Sequence, residues 1–67
     1  MTHQFSTDRF RTWALKQSGA NISISDGKIQ IKWLIEGVET AENEEERSEA
    51  REDLAAFEST FLPRLAA

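Results

Sequence analysis

The 67 residues include no cysteine and no tyrosine, a single histidine, one proline and three glycines. Without cysteine there are no disulfides, no thiolate zinc ligands and no thiol nucleophile. The one histidine, His3, lies beside the first residue and has no companion for a metal or an acid–base pair. No glycine-rich phosphate loop and no serine in a nucleophile-elbow context is present. The clustered glutamates lack the spacing and the glycine of a calcium-binding loop. These absences predict a protein with no catalytic residue, no cofactor and no metal site, and so not an enzyme. No stretch approaches the roughly 18 apolar residues of a membrane span. Thr2, His3, Gln4 and Phe5 do not begin an apolar leader, so the expected compartment is the cytoplasm. The Asn21-Ile22-Ser23 glycosylation signal then has no role.

The chain reads as a single domain over 1–67. Below about 70–80 residues one hydrophobic core supplies only about 3–5 kcal/mol, and disulfides, metals or partners usually add to it. With the first two excluded, partner binding or self-association is the remaining support.

What is present suggests a helix, a hairpin and a second helix. Phe10, Trp13, Ala14 and Gln17 have the i, i+3, i+4, i+7 spacing of one helical face, predicting a first helix over about 7–18. Ser6 is the expected N-cap, Phe5 and Phe10 the two ends of a hydrophobic staple, Asp8 a first-turn anion and Gly19 the stop. Ile22, Ile24, Ile29, Ile31, Trp33 and Ile35 alternate with polar residues around Asp26-Gly27. That pattern predicts a two-stranded antiparallel hairpin with a type I′ turn, strands at 20–25 and 28–36, and isoleucines paired across it. Helix-favouring sequence then runs from 41 to 62, with Thr40 as cap and Pro63 as terminator, its stripe formed by Ala50, Leu54, Phe57 and Phe61. The fold class expected is α+β, in the order αββα.

Charge is segregated. Residues 1–36 hold five Lys/Arg against three Asp/Glu and residues 37–67 three against nine, a net +2 and −6 within a total of −4. On a helical wheel Glu42, Glu45, Glu46, Glu49, Glu52 and Asp53 fall within about 120° of one another. Only Glu44 with Arg47 has the spacing of an i, i+3 ion pair. The plain account of this ridge is a solvated helix face; the functional one is a docking strip for a basic surface on another protein. Lys28, Lys32, Arg9, Arg11 and Lys16 form the opposing basic side. They lack the concentrated stripe or exposed aromatic platform of a nucleic-acid module, and a pI near 4.8 opposes that reading.

Leu15, Leu34 and Leu62 fall off the predicted core faces. They are ordinary surface leucines or contact residues, Leu62 at the border of the ridge and Leu15 and Leu34 in a homodimer that also uses the free edge of the second strand. Trp13 and Trp33 are expected in the core.

The leading expectation is a small acidic protein that binds and inhibits or modulates another protein through Glu42, Glu45, Glu46, Glu49, Glu52, Asp53 and Leu62. Phage and mobile-element accessory proteins share this composition, and such a partner's basic surface is one suited to gripping nucleic acid. A homodimeric assembly protein and a nucleic-acid-binding module acting through the basic half are the alternatives.

Overall fold

The computed structural model describes the backbone of residues 2–66 and the side chains of residues 9–66. Three helices account for it: α1 Thr2–Asn21, α2 Ile24–Glu39 and α3 Glu44–Ala66. No described residue is in a strand. The expected α+β fold is therefore corrected to an all-helical one, and the hairpin, its Asp26-Gly27 turn and its free strand edge do not exist.

Local chemistry shows why the isoleucine-rich segment becomes α2. Ser23 is the N-cap, extended at φ −64° and ψ 155°, and its Oγ accepts a hydrogen bond from the Asp26 amide at 3.2 Å. Asp26 lies in the first turn, where the helix dipole favours an anion. From there Gly27, Ile31, Leu34 and Val38 repeat at helical spacing, and all four are buried or half-buried. A glycine-containing turn is replaced by a helix because burying this stripe outweighs the few tenths of a kcal/mol that each β-branched residue costs in a helix. Thr40 closes α2, its amide and its hydroxyl both donating to the Glu36 carbonyl at 2.8 Å.

The cap of α3 is reciprocal. Asn43 Oδ1 accepts from the Glu46 amide at 2.9 Å, and Glu46 Oε1 accepts from the Glu42 amide at 3.1 Å. Three glutamates occupy the first turn and Arg64 the last, both favourable to the dipole. Pro63 does not end the helix as expected. It removes only the bond its missing N–H would have made to the Ser59 carbonyl, and its ring is exposed beyond the buried phenylalanines. The first helix is also longer than 7–18. Its backbone is helical from Thr2 through Gly19 to Asn21, so Ser6 lies within it; the side chains of Phe5, Ser6 and Asp8 are outside the described residues.

α3 is the central element and packs on both α1 and α2, which share far less with each other. Arg11 donates to Asp53 at 3.0 Å, Thr60 to the Lys16 carbonyl at 2.7 Å and Arg64 to the Gly19 carbonyl at 2.7 Å. Residue numbers rise together along this seam, so α1 and α3 run parallel. α2 runs back between them in chain order. Two glycines allow the close approach. A Cβ on Gly27 would meet the Phe61 ring, and one on Gly19 would meet Thr60 Oγ1 and lie 2.6 Å from the Phe57 carbonyl. The apolar core is small: Ala56, Phe57 and Phe61, with the two rings stacked at 5.2 Å.

The expected core face of α1 is reversed. Gly19, Thr12 and Leu15 face α3, and on a 100° wheel Phe10 and Trp13 fall roughly 120–180° from Gly19. They are 65% and 56% exposed, and Trp33 is 62% exposed. Leu15 and Leu34, expected off the core, are instead half-buried on the sides turned toward α3.

Ser23 separates the two readings experimentally. Ser23→Ala removes the cap of α2 and is expected to lower stability by about 1 kcal/mol in urea unfolding. On a solvent-facing strand position the same change would leave the midpoint nearly unchanged.

Candidate protein-binding surface

Between α1 and α3 runs an open groove of about 400 Å³ lined by Thr12 and Lys16 on one side and Glu52, Ala55, Ala56 and Ser59 on the other. Its floor is small and apolar because the exposed Ala55 and the core residue Ala56 lie there, and its rims are polar. Ser59 Oγ donates a hydrogen bond to the Ala56 carbonyl at 2.7 Å.

On the side of α1 turned away from α3 stand Phe10 and Trp13, neither of which lines the groove. Their ring centroids are 5.8 Å apart with planes tilted by 32°, so the two side chains form one exposed aromatic platform. Aromatic pairs in this range gain about 0.5–1.5 kcal/mol from each other. The platform is therefore ordered before anything binds it, which limits the entropy lost on association.

On the α3 side the six ridge carboxylates divide into three roles. Glu46 is committed to the helix cap, and the Glu42 amide is its partner. Asp53 is half-buried and paired with Arg11 at 3.0 Å, which fixes α1 on α3. Glu42, Glu45, Glu49 and Glu52 are exposed, and no carboxylate among them has an ion pair or a hydrogen bond among the described residues. Glu45, Glu49 and Glu52 follow one another at i, i+4, i+7 spacing, and Glu52 lines the groove. Leu62, 42% exposed, is on α3 beyond the groove's far end. Thus the structure leaves four of the six expected ridge carboxylates free, Glu52 among the residues lining the groove, and exposes on α1 the aromatics that were expected in the core. The signal for the aromatics was present: Gly19, Leu15 and Thr12 form an alternative face of α1, visible once Gly19 is read as a packing residue.

Arg47 reaches Glu44 at 3.0 Å and the Ala41 carbonyl at 3.4 Å, holding the start of α3. The basic residues of the sequence do not gather. Arg11 is used by Asp53, Lys16 lies on the groove rim, and Lys28 and Lys32 are on α2. Among the described residues no group of three or more His, Asp or Glu side chains is placed to hold a metal ion. No helix there is long and apolar enough to cross a membrane.

Comparison with known proteins gives no match to a family model, to a curated protein or to a solved structure. The surface has to be read from its own chemistry.

The groove's width depends on the seam below it. Arg64 spans α3 to the Gly19 carbonyl, near the end of α1, and its guanidinium lies 5.6 Å from the Phe61 ring centroid. Arg64→Gln is expected to lower stability by about 1.5–3 kcal/mol, the range for hydrogen bonds from charged donors. Thermal unfolding checks this, and a loss below 0.5 kcal/mol, roughly the lower bound for any such bond, would mean that the contact does not hold α1.

Proposed function

We propose that the chain is a non-catalytic cytoplasmic protein that binds another protein bearing a basic surface and so inhibits or modulates it. The observations that carry this reading are the exposed aromatic pair Phe10 and Trp13 on α1 and the free carboxylates Glu45, Glu49 and Glu52 on α3, of which Glu52 lines the α1–α3 groove. Together they offer an aromatic anchor and an acidic edge, and tryptophan is among the residues that most often dominate binding energy. The chemistry that fits is a partner segment with an apolar residue seated on the platform and Lys or Arg side chains beside the glutamates. The carboxylates set the approach rate, and the aromatics hold the complex. A basic surface that otherwise grips phosphates is one such partner.

The test compares the full chain with Trp13→Ala and with a Glu45, Glu49 and Glu52→Gln variant. Retained proteins are identified from lysate, then titrated as purified components at low and high salt. Trp13→Ala is expected to weaken the reconstituted complex about thirtyfold or more, as for a hot-spot residue. The glutamine variant is expected to slow association and abolish its salt dependence. Equal binding by all three proteins would remove the groove from consideration.

A further inference from the structure

α2 has two apolar sides. One is the stripe Gly27, Ile31, Leu34 and Val38 against α3. The other carries Asp26, Ile29, Trp33, Gly37 and Thr40, which share a sector of roughly 80° centred about 120° from Gly27. All five are exposed, Ile29 by 48% and Trp33 by 62%. Ile29 and Trp33 are thus two large apolar side chains, one turn apart, that the described residues leave largely uncovered.

Gly37 points the same way. The other glycines, Gly19 and Gly27, are each closed over by α3, whereas a Cβ on Gly37 would meet nothing within 4 Å. Glycine inside a helix costs about 1 kcal/mol relative to alanine. No packing contact among the described residues compensates for that cost at Gly37.

We propose that a second copy of the chain covers this face, with α2 packed antiparallel against α2 around a two-fold axis at Trp33. Ile29 and Gly37 are each four residues from Trp33, so this register lays Ile29 of each copy over Gly37 of the other. The flanking charges select the same arrangement. Lys28, Lys32, Glu36 and Glu39 share one flank of α2, within roughly 80° on the wheel. All four are exposed, and no side chain among them has an ion pair or hydrogen bond among the described residues. Antiparallel pairing brings Lys28 and Lys32 of one copy beside Glu39 and Glu36 of the other, twice over. Parallel two-fold pairing would put the two flanks on opposite sides of the interface, where none of these charges could meet its counterpart.

The chain is open enough to need cover: it exposes 4922 Å², whereas a folded protein of 7.6 kDa exposes about 4,300 Å², and its Cα radius of gyration, 12.4 Å, exceeds the roughly 11 Å expected of a compact chain this long. Trp33 is among its most exposed large apolar side chains. The isologous contact lies on α2, away from the α1–α3 groove, so its failure and the failure of the groove are separately visible.

Sedimentation equilibrium over micromolar to millimolar concentrations tests it, with circular dichroism confirming that each variant is folded. The wild type is expected to move from monomer to dimer mass. Trp33→Ala and Gly37→Ala should each weaken dimerisation about tenfold or more. A variant carrying Lys28→Glu and Lys32→Glu should be monomeric alone, and should form a heterodimer with one carrying Glu36→Lys and Glu39→Lys. A wild type that stays monomeric throughout overturns the proposal. So does a dimer whose strength is unchanged by Trp33→Ala and Gly37→Ala, because the contact is then elsewhere.

Discussion

The approach of Phe61 to Gly27 sets the geometry on which the rest of the protein depends. No other residue at 27 leaves room for that ring, which a Cβ would strike. With the ring seated, α2 lies against α3, and Arg64 one turn further on is placed to reach the α1 carbonyl at Gly19. One phenylalanine and the arginine that follows it therefore tie all three helices at one end of the molecule. The principal extents of 39 × 25 × 15 Å describe a thin body. A single central helix flanked by two others buries only what α3 itself presents, which is why two phenylalanines and an alanine make up the apolar core and aromatic side chains remain outside.

This constraint also explains what the sequence concealed. Alternation of Ile29, Ile31, Trp33 and Ile35 with polar residues is equally compatible with a strand that has one buried face and a helix that is apolar on two sides. The decisive residue was Gly27. Beside Asp26 it resembles a hairpin turn, yet its role is steric, and only the position of Phe61, more than thirty residues away in the chain, reveals that. A local clue did exist in Ser23-Ile24-Ser25-Asp26, a helix-start signature that the isoleucine pattern overrode. α3 was legible along most of its length, with Ala50, Leu54, Phe57 and Phe61 on its inner side as the 4-3-4 spacing predicts.

The charged edge was legible in outline and misread in detail. Grouping six carboxylates by wheel angle treats them as equivalent, whereas capping removes Glu46 and the seam with α1 removes Asp53. Of the four that remain, Glu45, Glu49 and Glu52 lead to the groove, whose other wall, Thr12 and Lys16, is on a different helix. That neighbour could not be found from α3 alone, because it depends on α1 and α3 running parallel. Leu15 shows the same dependence in reverse: it looks exposed while the aromatic stripe is taken as the inner face, and becomes a packing residue once Gly19 defines the seam.

The order in which the helices follow one another has a consequence for biosynthesis. Nearly all tertiary contacts of α1 and α2 among the described residues are made with α3, through residues such as Asp53, Phe57, Phe61 and Arg64 that come after both helices in the chain. A nascent chain has no core of these three helices until Phe61 has been made, and helices draw most of their stability from tertiary packing of an apolar face. The apolar sides of α1 and α2 therefore stay uncovered until α3 is present, and the three helices fold together in one step that waits for it.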